Sequence, residues 1–339
     1  MRSKWNEMGR AVLGLVALGA VGCAQTTHEA TPARLGRTVT WQEMEARLDE
    51  PGPIRFEKVR AADWQVELSG LLNLDHPKAE AAGLEDHDEA IQIYLYGLQH
   101  PKEGLYIVDS GVARSFAERS DDMPVGSLVR SFMNLDALQV HVDTKTWLTR
   151  AGQPLRGVFL THLHLDHVMG LQDVPKTTPL YVGREEPEDT RFLHLFARGT
   201  TDDNLEGFGP LRELAVPEDE TKALDIFGDG SLYGLHVPGH TSGHVAFVVR
   251  TTEGPELLTG DACHTAWGWQ NDVEPGHFNT DGDEAAHSLG RLRALAARHP
   301  HMGVHLGHQE LGARPARGPQ PAPPEATVAH HHAPHAEAH

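Results

Sequence analysis

Within six positions the chain places His162, His164, Asp166 and His167, directly after the apolar run Gly157 to Leu160. Imidazole nitrogen and carboxylate oxygen are ligands that zinc prefers, and such a set can leave one position open for water. In an extended backbone residues 162, 164 and 166 point the same way, so two imidazoles and a carboxylate converge. His167 falls on the other side and, where the chain turns, can serve a second ion together with Asp166. Four such side chains at a strand end are poor core material unless they bind something. Histidine is abundant, at 24 residues, whereas the two cysteines, Cys23 and Cys263, exclude a cysteine-rich zinc module and a disulfide framework.

The elements that must carry this cluster read as short strands alternating with helices. Runs at Ile91 to Leu98, Gly104 to Val108, Gly157 to Leu160, Leu232 to Val237, His244 to Val249 and Leu257 to Thr259 predict strands. Helical patterns cover Ser127 to Leu138, Glu186 to Ala197 and Asp283 to Arg298, the last with Leu289, Leu292 and Leu295 on one face. The acidic segment from Thr200 to Leu224, punctuated by Gly and Pro, reads as an irregular insertion near the mouth of the site.

The spacing His-x-His-x-Asp-His resembles the signature of the metallo-β-lactamase superfamily, and the resemblance continues in order from about Asp109 to His308. Ile107 to Gly111 is similar to the family's early strand ending in an Asp beneath the metals, which gives Asp109 the task of orienting a ligand. Pro238 to His244 carries His240 where the family has the third ligand of its first metal. Leu257 to Asp261 ends on the Asp that bridges both metals. His308, in Leu306 to Gln309, resembles the last ligand of the second metal, with His305 as a competitor three residues earlier.

The resemblance implies an α/β fold, an αββα sandwich of two central mixed sheets flanked by helices. It implies two zinc ions: the first held by His162, His164 and His240, the second by Asp166, His167 and His308, with Asp261 between them. Iron, manganese and cobalt suit the same ligands. Such a pair outweighs the negative charge of Asp166, Asp261 and a bridging hydroxide, which suits a carbonyl oxygen turning anionic. The expected reaction is hydrolysis of a carbonyl ester, lactone, thioester or amide. Asp261 and Asp166 are its catalytic carboxylates, Asp166 carrying the proton to the leaving group.

The Pro238 to His244 and Gly260 to Ala262 stretches, with the helix Ser288 to Ala297, are most similar to N-acyl-homoserine lactonases. In those a Tyr follows the bridging Asp and touches substrate, whereas this chain has Ala262, Cys263 and His264. His264 either replaces the Tyr as a hydrogen-bond donor or flanks a helix. Trp267 and Trp269 either wall an acyl pocket or pack as ordinary core. A hydroxyacylglutathione-type thioesterase and a β-lactamase keep the same metals, and an envelope metal-binding protein is the non-enzymatic alternative.

The chain has 339 residues, 39% hydrophobic, with 29 Lys and Arg against 48 Asp and Glu, a formal charge of −19. A phosphate backbone would meet net repulsion, which argues against nucleic acid, and the resemblance implies a small-molecule carbonyl substrate instead. Basic Arg2, Lys4 and Arg10 ahead of the apolar run Ala11 to Gly22 read as a signal peptide over residues 1–23, placing the mature chain in the cell envelope or beyond it. Ala20 to Cys23 resembles a lipobox, whose lipidated Cys23 would anchor the chain to a membrane; an ordinary cleaved secretory signal is the alternative. Residues 24–64 read as an N-terminal extension and 65–312 as the hydrolase domain. Residues 313–339 read as a disordered Pro/His-rich tail whose His330, His331, His332, His335 and His339 can bind metal loosely or stay solvated.

Overall fold

The computed structural model describes residues 24–120, 122–125, 130, 133–190 and 194–312. The signal segment with Cys23, the tail from residue 313 and much of the helix expected at Ser127 to Leu138 lie outside the described residues.

Two mixed sheets pack face to face. The first contains β1 (Ala30–Pro32), β3 (Arg55–Glu67), β4 (Asp88–His100), β5 (Gly104–Val108), β6 (Gln139–Val140), β7 (Leu155–Phe159), β8 (Leu180–Gly183) and β9 (Leu211–Leu214). Its spatial order is β1-β9-β8-β7-β5-β4-β3-β6. The second contains β2 (Arg37–Thr40), β10 (Lys222–Asp225), β11 (Leu232–His236), β12 (Val245–Thr251), β13 (Gly254–Leu258) and β14 (Gly303–His305), in the order β14-β13-β12-β11-β10-β2.

Side-chain alternation builds the layers. In β5, Tyr106 and Val108 face the second sheet while Leu105 and Ile107 face outward; in β12, Val245, Phe247 and Val249 face the first sheet while Ala246 and Val248 face outward. Both faces of β12 are covered, so all seven of its residues are buried. Truncating a fully buried ring such as Phe247 to alanine would cost about 3–5 kcal/mol. Outside the first sheet lie Trp147 and Leu148 of the helix Thr144–Ala151, with Leu205 of the helix His194–Leu205. Outside the second lie Leu292 and Leu295 of the helix Gly282–Arg298. The expected αββα sandwich is therefore present, and the Leu spacing of that last helix is its buried face.

Several expected elements differ. The helix expected over Glu186 to Ala197 begins later: residues 184–188 form a turn, and the helix is His194–Leu205. The insertion expected over Thr200 to Leu224 holds the end of that helix, all of β9 and the start of β10; its acidic surface hides Leu205, Phe208, Leu211 and Leu214, which are buried. Of the helix expected at Ser127 to Leu138, the described residues are Arg130, which is helical, and residues 133–138, which hold a 3-10 turn, Leu135–Ala137, entered through a left-handed Asn134. The boundary expected at residue 64 falls inside β3. Upstream of it, β1 pairs with β9 and β2 with β10, so residues 24–64 contribute a strand to the edge of each sheet.

This topology gathers loops at one end of the sandwich. β5 and β7 run parallel, as do β13 and β14, and the segments leaving their carboxyl ends emerge side by side. The connection from β11 to β12 joins them. In open α/β sheets ligands bind at that carboxyl end.

Candidate metal centre

Each expected ligand sits just beyond a strand. β7 ends at Phe159, and residues 160–164 form a loop that caps the short helix Leu165–Val168, with His164 at its N-cap. The ligand run is thus loop and helical turn rather than extended strand. Strict alternation ends at His164, and Asp166 and His167 face the same centre from successive positions of the helix. His240 lies in the connection between β11 and β12. Asp261 follows β13 in the turn Gly260–Ala262, and His308 follows β14. Gly260 has φ +51, and a Cβ there would lie 2.7 Å from His244 Nε2, so this turn requires glycine.

Two groups of donor atoms result. His162, His164 and His240 form one; Asp166, His167, Asp261 and His308 form the other. In the first, His240 Nε2 stands 3.1 Å from His162 Nε2 and 2.8 Å from His164 Nδ1. Asp261 lies between the groups: its Oδ2 is 3.5 Å from His240 Nε2, 3.7 Å from His162 Nε2 and 3.2 Å from His308 Nε2, while its Oδ1 is 3.3 Å from His167 Nε2. Asp166 Oδ2 reaches His308 Nε2 at 3.1 Å. All but His164 and Asp166 are buried, so the centre meets solvent on the side of those two.

These residues fit metal ions on their own chemistry. His167 Nε2 and Asp261 Oδ1 are buried without any hydrogen-bond partner, which is costly for polar atoms unless something else binds them. The outer nitrogens are already committed. His167 Nδ1 donates to Asp109 Oδ2 at 2.8 Å and His308 Nδ1 donates to the Gln92 carbonyl at 3.0 Å, which leaves each Nε2 to point inward. Burial pulls His162 and His240 well below the usual histidine range, keeping them neutral and able to coordinate. For His308 burial acts the same way but is outweighed by Asp261 and Asp166, which push it up to about 10. Surroundings that favour a proton there also favour a metal cation in its place. Burial also opposes the charge on Asp261, yet His308 and His167 hold its carboxyl well below the ordinary carboxylate range.

A family model described as the metallo-beta-lactamase superfamily matches residues 89–313, a span that includes every one of these donors. The chain belongs to the metallo-beta-lactamase superfamily. Among curated members, the N-acyl homoserine lactonase AttM of Azorhizobium caulinodans is 37% identical over 145 residues, 42% of this chain and 53% of that protein, so the match spans about half of that relative. AttM of Rhizobium johnstonii is 31% identical over 215 residues, 62% of this chain and 80% of that protein. Among solved structures, a quorum-quenching N-acyl homoserine lactone lactonase superposes with TM-score 0.54 at 19% identity, covering 76% of this chain and 93% of that one, a likeness of fold.

Around this superfamily centre the remaining expected residues sort clearly. Asp109 stands under it: its Oδ1 accepts from the Thr161 amide at 2.8 Å, and its backbone is left-handed at φ 54, strain of the kind that clusters at functional sites. His305 does not reach the centre; its Nε2 pairs with Glu256 at 2.9 Å and its ring packs on Phe56 and Tyr96. His264 is buried within the cluster. Its Nδ1 donates to the Leu71 carbonyl at 3.0 Å and its Nε2 lies 3.1 Å from Asp261 Oδ2, so it stands among the donor atoms while also directly preceding Thr265, the N-cap of the helix Ala266–Asn271. Trp267 and Trp269 are half-buried, Trp267 against the apolar cluster that contains Leu165, Met169 and Val273, and Trp269 against the clusters that contain Leu292 and Leu289. Cys263 is a free, buried thiol, which burial pushes up to about 12, so it stays protonated.

Sequence reasoning missed two supports. His244 Nε2 accepts from the Asp261 amide at 3.0 Å, bracing the turn that presents that carboxylate. Glu186 is fully buried and binds the Leu163 amide, between two ligands. Its signal was a second acidic residue inside an apparently solvated run, Glu185 to Glu188, where nothing separates a buried carboxylate from its exposed neighbours.

Proposed function

We propose that this hydrolase is a dinuclear zinc enzyme that opens an ester or lactone, with N-acyl homoserine lactone as the leading substrate class. The observation that carries the proposal is Asp261 standing between two donor groups, the arrangement a pair of ions a few ångströms apart requires. His162, His164 and His240 would hold one ion, Asp166, His167 and His308 the other, and Asp261 both. When bound, such a pair supplies Lewis acidity towards a carbonyl oxygen and lowers the pKa of coordinated water.

The chain's own residues supply the rest. The buried imidazoles exclude bulk water beneath the reacting carbonyl, which strengthens every charge interaction there. Hydrolysis forms one bond from water oxygen to the carbonyl carbon and breaks the ring C–O bond, and the departing alkoxide takes up a proton. Asp166, at the solvent side of the centre, is placed to take up the proton that the attacking water gives up and to pass it to that alkoxide. The lactonase relatives support lactone as the bond cleaved. Residues 2–22 support export, and Cys23 a lipid anchor; the mass of the mature N-terminus from membrane fractions would decide between an acylated Cys23 and a plain cleaved end.

The test is a substrate panel of acyl-homoserine lactones, aryl esters, a glutathione thioester and a cephalosporin, run on zinc-loaded protein. Lactone turnover lost to a chelator and restored by zinc is the expected result. Turnover of the thioester or the cephalosporin alone would replace the substrate, and silence across a metal-replete panel would favour a metal-binding protein without catalysis.

A further inference from the structure

The turn after β8 places a carboxylate where packing alone would place an apolar side chain. Glu186 has no measurable exposure, and among the described residues no cation pairs with it. Its Oε1 accepts from the Leu163 amide at 2.8 Å, its Oε2 accepts from the Thr241 hydroxyl at 2.5 Å, and the Gly243 amide also donates to it. Leu163 is the residue between His162 and His164; Thr241 follows His240. One side chain therefore ties the segment carrying two imidazoles of the first donor group to the loop carrying the third. Three residues on, Asp189 grips the same loop, accepting from Ser242 Oγ at 2.9 Å and Thr280 Oγ1 at 3.1 Å.

From this geometry we infer that Glu186 is a positioning residue, whose carboxylate sets the spacing between the His162–His164 segment and the His240 loop and so the affinity of the first ion. Burying a polar carboxyl group costs free energy unless its partners offset it, so a purely space-filling role would be met more cheaply by Leu or Met. What an apolar residue cannot do is satisfy the Leu163 amide and the Thr241 hydroxyl together. The tolerance is small. The three nitrogens already lie within about one coordination sphere of a common point, and a slip of roughly 0.5 Å between the loops takes one out of reach. The inference rests on the dinuclear reading given above.

The experiment is stepwise chelator competition on the full chain, resolving the affinities of the two ions, with thermal melts of the metal-free proteins alongside. Glu186→Ala is expected to weaken one ion about 10- to 100-fold and leave the other near the wild-type value, the range typical of residues that orient ligands. Glu186→Gln keeps an oxygen for the Leu163 amide and an amide group facing Thr241, and is expected to restore most of that loss. Should Glu186→Ala fail to fold, Thr241→Val removes one of the donors while keeping volume, and a several-fold loss at the same ion is expected. Wild-type affinity for both ions in the Ala or Val variant, with only a lower metal-free melting point, would overturn the inference alone. A wild-type protein that holds fewer than two ions would overturn the dinuclear reading and this inference with it.

Discussion

Asp109 Oδ2 and His167 Nδ1 stand 2.8 Å apart, and this hydrogen bond fixes which nitrogen of His167 faces the centre. With Nδ1 committed to the carboxylate, Nε2 carries the lone pair, and it is one of the buried atoms without a partner. Asp109→Asn keeps a residue that tolerates the left-handed backbone while removing the charge. The second ion should bind about 10- to 100-fold more weakly in the variant, with the first unchanged, as read by competition with a chromogenic chelator. Equal weakening of both ions would refute this division of labour.

Asp261→Asn leaves the shape of the turn and removes the one negative charge shared by both donor groups. Turnover should fall by more than about 100-fold, and the number of ions held after dialysis should drop below that of the wild type. Metal analysis beside kinetics separates the two effects; full metal content with full activity would remove Asp261 from the bridging position.

His305 and His308 differ by three residues and by everything around them. His308→Gln should lose an ion, whereas His305→Gln, which removes the contact with Glu256 and the ring packing on Phe56 and Tyr96, should keep both ions and most of the activity at a cost of about 1–2 kcal/mol in stability. The reverse pattern would exchange their roles.

Burial, with help from Asp189, pushes Glu186 up to about 8 despite its three donors. An unfolded Glu titrates near about 4.3, so the folded state binds the proton more tightly. The contribution of this group is then fully present in acid and fades as pH rises through about 8. In urea titrations of metal-free protein, the stability of wild type relative to Glu186→Gln should fall between roughly pH 5 and pH 8, by up to about 1.4 kcal/mol per pH unit. Curves that stay parallel across that range would show the carboxyl to be ionised throughout.

Much of the centre was legible because its ligands are rare side chains at fixed offsets next to strands that announce themselves by alternation. Gly104–Val108 has the bounds its pattern implies, and His162, His164, Asp166, His167, His240, Asp261 and His308 converge. The reading faltered where tertiary contacts overrule local pattern. The strand-like alternation of residues 162, 164 and 166 gives way to a helical turn. Gly254 and Pro255 look like breakers but begin β13, because a hairpin turn from Thr251 supplies the geometry glycine allows. Glu186 was invisible for a different reason: its partners are a backbone amide and a hydroxyl from loops far away in sequence, and neither leaves a mark on its own neighbourhood.

The edge strands β1 and β2 set an order of events for a chain emerging from the ribosome. Ala30 finds its partner at Leu211 and Thr38 at Leu224, so these two strands have nothing to pair with until the chain has reached those distant residues. Closing loops of that length costs entropy before any contact repays it, which makes this a slow step. Until it is complete, β9 and β10 are raw sheet edges, open to pairing with another nascent chain. Once it is complete, three residues ending in Pro32 close one sheet, and a proline there offers the next strand no amide to bind. Residues 30–40 thus cover one edge of each sheet with strands whose partners lie far along the chain.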